Sequence, residues 1–267
     1  MSRTQLGRYG FSLDVDDDGT HLRTAQTLQE LGFGTLWING GQLDRLDRLT
    51  DVLKMTTTAH VGSAIIPPDR YPAAEVLDLF RRAEVGAPGR LVIGLGTSHQ
   101  PKPLTRLGHY LDELCDVPAD RMLLAAMGSH ALELARDRFA GTLPMLFTEE
   151  HTAWARRIIG ADRTLAVGLY AVLNEDPTAA RAIAREPLTF LTTMPAYRNS
   201  LQRQGFSAVE IDSLSDHLVD TLVAWGSPRR ILDHAARLHA AGADHVRFTV
   251  LGADALGAAR MLAAESD

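Results

Sequence analysis

The chain has 267 residues, 45% of them hydrophobic, and a formal charge of -6, enough to bury a sizeable core as one α/β barrel or two smaller domains. Its 27 basic residues, almost all arginine, are scattered rather than clustered, so nucleic acid is not favoured as a partner. The single cysteine, Cys115, excludes an internal disulfide framework and a multi-cysteine metal site, suits a reducing cytoplasm, and is expected at a buried helix position.

In chain order, short β-branched runs alternate with helical periodicity from end to end, the pattern of βα units with parallel strands. Strands are expected at Tyr9 to Leu13, Thr35 to Ile38, His60 to Ile66, Arg90 to Leu95, Met122 to Met127, Thr142 to Phe147, Leu165 to Val172 and Asp244 to Val250. Helices fit between them, at Gly19 to Leu31, Leu43 to Thr57, Pro72 to Val85, Pro103 to Cys115, His130 to Arg138, Glu149 to Ile159, a longer stretch from Pro177 to Trp225, and Pro228 to Ala241. Glycines at Gly32, Gly86, Gly160 and Gly242 mark recurrent helix-to-strand junctions, because glycine takes the left-handed conformation cheaply. Eight such units favour one (β/α)8 TIM barrel over 1–267, with 187–225 as a helical insertion between the seventh and eighth strands. The N-terminal residues lack an apolar h-region and the longest apolar run, Thr164 to Leu173, is short of a membrane span, so a soluble cytoplasmic protein with no membrane partner is expected.

In such a barrel the chemistry lies at the C-terminal ends of the strands. The second ends in Trp37-Ile38-Asn39-Gly40-Gly41, which offers a hydrogen-bonding amide and no acid. The fourth ends in Gly94-Leu95-Gly96-Thr97-Ser98-His99, where two glycines permit close approach of a flat ligand and His99 is a titratable group beside it, or a loop histidine bonded to a carbonyl. As a dinucleotide fingerprint this run fails, since His99 stands at the third glycine. The fifth ends in Met127-Gly128-Ser129-His130 at a helix start, a phosphate site or plain capping by Ser129. The acidic run Asp14 to Asp18 follows the first strand and reads as a solvated loop or part of the mouth. His234, His239 and His245 lack metal-pair spacing, and no serine-hydrolase elbow or P-loop occurs, so no metal is expected.

Taken together, Leu31-Gly32-Phe33-Gly34-Thr35-Leu36-Trp37-Ile38, Arg90 to His99, Lys102-Pro103-Leu104 with Tyr110-Leu111-Asp112, Ala125-Ala126-Met127-Gly128, Tyr197 to Leu201 and Leu222-Val223-Ala224-Trp225-Gly226 resemble the luciferase-like monooxygenase superfamily, in its coenzyme F420 (deazaflavin) dependent oxidoreductase branch. The resemblance covers almost the whole chain and rests on the order and spacing of these pieces. It implies a cis peptide at Ala64-Ile65 whose bulge supports the cofactor ring, with Gly96 and Ser98 nearby, and phosphate contacts from Met127, Gly128 and Ser129. His99 falls where relatives can carry a substrate-pocket acid, and Asn39 could hydrogen-bond substrate or ring. Two departures stand out: Gly40 and Gly41 replace an acid and histidine that often follow this strand in relatives, and the loop after His99 is short. The resemblance implies hydride exchange between F420 and a small organic substrate. Its alternatives are an FMN-dependent luciferase-like monooxygenase and a cofactor-binding barrel that has lost catalysis. Relatives that dimerise make a homodimer a candidate state.

Overall fold

Parallel strands flanked by helices are covered on both faces, so their side chains divide into one set facing the helices and one facing a barrel interior. The computed structural model describes residues 4–98, 100–252 and 254–266. Nine strands are present among them: β1 (Tyr9–Leu13), β2 (Thr35–Asn39), β3 (His60–Ala64), β4 (Leu91–Leu95), β5 (Met122–Leu124), β6 (Gly141–Thr142), β7 (Thr164–Val172), β8 (Val223–Trp225) and β9 (His245–Val250). All pairings are parallel; β1 to β7 run in order, β9 joins β7 to β1, and the β6–β7 pairing closes an eight-stranded barrel. β8 adds a short ninth strand against the C-terminal half of β7, with Tyr170 opposite Val223.

The outer ring consists of α1 (Thr20–Glu30), α2 (Asp47–Met55), α3 (Ala73–Gly86), α4 (Pro103–Glu113), α5 (Ser129–Arg138) and α6 (Glu149–Ile159), followed by α7 (Pro177–Leu191), α8 (Pro195–Arg203), α9 (Ala208–Ser213), α10 (Asp216–Leu222), α11 (Pro228–Ala240) and α12 (Ala255–Ser266). Phe11, Leu36, Ile38, Ile93, Leu169 and Phe248 face outward and share the main core with helix residues such as Leu28, Leu49 and Leu79. Each such side chain removed from water contributes about 1.5–3 kcal/mol. The interior holds a smaller cluster that includes Trp37, Val92, Leu123, Leu143 and Ala166. A third cluster joins α7, α8, α9 and α10 to Tyr170, Val172 and Trp225 above β7.

Hydroxyl and carboxylate caps start many of the later helices: Thr148, Asp176, Ser215 and Ser227 each accept a first-turn amide, and Ser207 forms a capping box with Glu210. Two helix-to-strand junctions are tied together by Arg156, which donates to the carbonyls of Gly160, Arg163 and Gly242 and to Asp244. Gly160 and Gly242 take positive φ there, as the junction pattern requires; Gly86 does not, and Gly89 turns that chain instead.

The expected strand positions hold, but their ends differ. β3 stops at Ala64, and Ile66 returns as a single bridge to Leu95. The sixth expected strand contracts to Gly141–Thr142 plus one Met145–Gly168 bridge, because the chain turns at Leu146, whose φ is positive. The long helical stretch to Trp225 divides into four helices, α7 to α10, and its last three residues form a strand. Its Pro187 lies inside α7, so 187 is not an element boundary. Cys115 is exposed, not buried, because α4 ends at Glu113 and the cysteine falls in the turn beyond it.

Candidate functional site

The ends of β2, β3 and β4 meet at Ile65. Asn39 is in register with Ala64, and the Gly40 amide donates to the Ala64 carbonyl at 3.0 Å. The Ala64-Ile65 bond is cis. A Cβ on Gly40 would lie 2.5 Å from the Ile65 carbonyl oxygen, and one on Gly96 would lie 2.6 Å from Ile65 Cδ1. Ile65 is thus clasped between two glycines, each of which is needed for close approach. Gly41 differs: among the described residues no atom lies within 4 Å of its Cβ position. Of the two glycines that look like a vacancy in the sequence, Gly40 is filled by protein and only Gly41 borders open space.

At the end of β4, Ser98 is buried; its hydroxyl donates to Asp69 at 2.7 Å and accepts from the Gln100 amide at 3.0 Å. That leaves Ser98 one free lone pair and no spare proton. His99, the expected proton donor or acceptor, lies outside the described residues.

Beyond β5, Met127, Gly128 and Ser129 run straight into α5. Ser129 is not the cap, as its sequence position suggested; Gly128 occupies the cap position in extended conformation, and Ser129 is the first helical residue. Gly128 has no side chain to offer, so no cap bond satisfies the first-turn amides. Arg203, from the end of α8, reaches this place: its Nη2 donates to the Met127 carbonyl at 2.9 Å and lies 3.6 Å from the Gly128 Cβ position. Arg203 also lines a cavity of about 350 Å³ with Thr148, Glu150, His151, Trp154 and Gln204. His151 stacks on Trp154 at 4.3 Å and its Nε2 is buried without a partner among the described residues. Burial, reinforced by the Arg203 charge, pushes the His151 pKa down to about 4, so the ring is neutral at neutral pH.

Inside the barrel the sequence reading missed a polar column. Trp37 Nε1 donates to His245 Nε2 at 3.1 Å, and His245 Nδ1 is 2.8 Å from the Gly7 carbonyl, which fixes the proton on Nδ1. Full burial drives the His245 pKa to about 3. Two residues on, Arg247 is also buried, and Thr249 shares a 2.7 Å hydrogen bond with Ser12. The available signal was the alternation His245, Arg247, Thr249, which places polar side chains on one strand face.

The acidic run after β1 is solvent-exposed at Asp14, Asp17 and Asp18, yet anchored: Arg48 donates to Asp17 and the Asp16 carbonyl, Gln42 donates to Asp14, and His21 pairs with Asp16. Arg198 pairs with Asp212. No group of three metal-ligating side chains occurs among the described residues, and no helix there is long and apolar enough to cross a membrane.

No protein-family model and no curated protein matches the chain. Solved structures do match over nearly its full length. A coenzyme F420 dependent tetrahydromethanopterin reductase from Methanopyrus kandleri superposes with a TM-score of 0.78 at 15% identity, over 96% of this chain and 97% of that one. An F420-dependent secondary alcohol dehydrogenase, in complex with an F420-acetone adduct, gives 0.76 at 13% identity over 99% and 98%. The oxygenating constituent of 3,6-diketocamphane monooxygenase from Pseudomonas putida, in complex with FMN, gives 0.64 at 11% identity over 91% and 92%. The chain has the (β/α)8 fold that these deazaflavin- and flavin-linked oxidoreductases share.

Proposed function

We propose that the chain is a luciferase-like, F420-dependent oxidoreductase that exchanges a hydride with a small organic substrate at the barrel mouth. One observation carries this reading. The uncapped start of α5 at Gly128 and Ser129 faces Arg203, and Arg203 in turn lines the 350 Å³ cavity. Free helix N-terminal amides beside a guanidinium are a fitting cradle for a phosphate, and the adjoining cavity offers room for the tail beyond it. His151, stacked on Trp154, lines the same space as a neutral ring.

The residues at the mouth fit the ring. Gly40 and Gly96 hold Ile65 in place, so Ala64 and Ile65 would support the flat tricycle, while Gly41 leaves its edge unobstructed. When bound, the deazaflavin supplies the two-electron hydride centre. The protein binds the phosphate through Met127, Gly128, Ser129 and Arg203, orients the ring, and offers the Asn39 amide to substrate or ring. Ser98, already engaged by Asp69, contributes backbone and a lone pair rather than a proton. His99 would give or take the substrate proton.

The similar structures support a deazaflavin or a flavin, since two are F420-dependent by name and one holds FMN. An FMN-dependent monooxygenase is therefore the second reading. Titration of the purified protein with F420 and with FMN, followed by absorbance and thermal shift, separates the two. Tight F420 binding with turnover that falls in His99→Ala supports the proposal; binding of neither cofactor rules it out. Binding without reduction by any donor points to a barrel that has lost catalysis.

A further inference from the structure

Arg247 lies in the middle of β9, on the interior face, with only 6% of its surface exposed. Its guanidinium lies over the bare backbone of Gly168, its in-register partner on the adjacent strand β7, where a Cβ would come within 2.8 Å of Nη2. The Trp37 ring centre is 5.9 Å from Cζ, and among the described residues the only hydrogen-bond partner is the Met145 sulfur, 3.7 Å from Nη2. Nη1 is buried with no partner among them. No carboxylate of the described residues answers the charge either; the groups that favour it electrostatically are the phenols of Tyr170 and Tyr197.

A guanidinium does not lose its proton in a protein, and a buried charge without a partner is expensive. The walls around it, Trp37, Met145 and Gly168, would suit a methionine or leucine of similar reach. We propose that Arg247 is the recognition residue for a carboxylate on the substrate, seated in the barrel beneath Tyr170 and Tyr197. The inference rests on the barrel mouth being the deazaflavin-dependent active site, and it adds that the substrate is a small organic monoanion.

The charge balance favours carboxylate over phosphate. One planar guanidinium matches the two oxygens of one carboxylate, whereas a dianion would need a second cation, and His245 below is neutral. Neither phenol makes a hydrogen bond among the described residues, so both can donate to the same anion. Burial raises the pKa of each, that of Tyr170 to about 12, which keeps them protonated donors. Tyr197 sits on α8 and is only partly buried. This site is built from Arg247 on β9, Tyr170 on β7 and Tyr197 near the start of α8, whereas the phosphate cradle uses the start of α5 and Arg203 at the far end of α8.

The test uses benzoate and acetate against their neutral amides, benzamide and acetamide, with calorimetry and Trp fluorescence on the wild type, Arg247→Met and Arg247→Lys. The wild type should prefer each acid over its amide by about 10- to 100-fold, as expected of a hydrogen-bonded charge pair. Arg247→Met should lose the preference, and Arg247→Lys should keep part of it. With no ligand, Arg247→Met should melt above the wild type, since it replaces an unpaired buried cation with an apolar chain. Equal binding of acid and amide by the wild type overturns the proposal, whether or not the variants fold, and so does a preference that survives in Arg247→Met. F420 titrated in parallel separates the two claims: acid preference without F420 binding retains the carboxylate site and removes the deazaflavin reading. Loss of F420 binding in Arg247→Met with acid preference intact assigns the charge to the cofactor and overturns the proposal.

Discussion

Gly40→Ala and Gly41→Ala, adjacent and chemically identical substitutions, should behave oppositely. At Gly40 the new methyl would stand 2.5 Å from the Ile65 carbonyl oxygen and 3.1 Å from its nitrogen. Both are backbone atoms, so no side-chain rotation relieves the contact; ordinary contact begins near 3.4 Å, and the ends of β2 and β3 must part by roughly 0.9 Å. Overpacking of this kind costs about 1–3 kcal/mol. The Gly40 amide bond to Ala64, at 3.0 Å, lies in the same segment and would lengthen. At Gly41 the methyl meets nothing within 4 Å, and stability should stay within about 0.5 kcal/mol of wild type. Urea unfolding followed by circular dichroism is the assay, with the change read from the midpoint at unchanged slope. Equal midpoints for the two variants would refute the claim that Ile65 is clasped by glycines. A loss at Gly41 alone would reverse the assignment of which glycine borders open space.

Three further outcomes are expected. Stability should fall in acid: the imidazoles of His151 and His234 are depressed to about 4 and that of His245 to about 3, from an ordinary 6.5, all chiefly by burial. The unfolded chain then binds more protons below pH 6.5, so the stability these groups contribute is whole above that value and is lost as pH falls toward 3. Every tenfold loss of proton affinity on folding is worth about 1.4 kcal/mol, and a urea midpoint flat between pH 6.5 and 4 would contradict the expectation. Trp37→Phe leaves His245 Nε2 without its donor and should cost ~1–3 kcal/mol from that nitrogen alone; a change below about 0.5 kcal/mol would show that the pair carries nothing. Arg203→Ala should weaken F420 binding about tenfold or more while leaving the unfolding midpoint nearly unchanged, because its hydrogen bond to Met127 is exposed.

Much of the barrel was legible because parallel strands leave a strong signature: runs such as Leu91–Leu95 and Thr164–Val172 are buried along their whole length. β8 was not, since Val223, Ala224 and Trp225 continue the periodicity of α10 and become a strand only by pairing with Tyr170, Ala171 and Val172. At the mouth, Gly128 and Ser129 were marked by position, but the partner that completes the cradle, Arg203, lies 76 residues from Met127 in sequence. Arg198, equally basic and on the same helix, pairs with Asp212 instead. No local pattern separates two such arginines. Arg247 was hidden for a different reason: the alternation His245, Arg247, Thr249 puts it on one strand face, but that its guanidinium meets no carboxylate among the described residues shows only once its neighbours Gly168 and Met145 are placed.

The central claim, a deazaflavin held by its phosphate at the start of α5, is tested most directly by comparing the affinity of the protein for F420 and for the same deazaflavin lacking the phosphate and everything beyond it. The account predicts that F420 binds more tightly, by a factor of about ten or more at roughly 1.4 kcal/mol per decade, and that Arg203→Ala removes most of the difference. Equal affinity for the two, or F420 binding indifferent to Arg203, would contradict it.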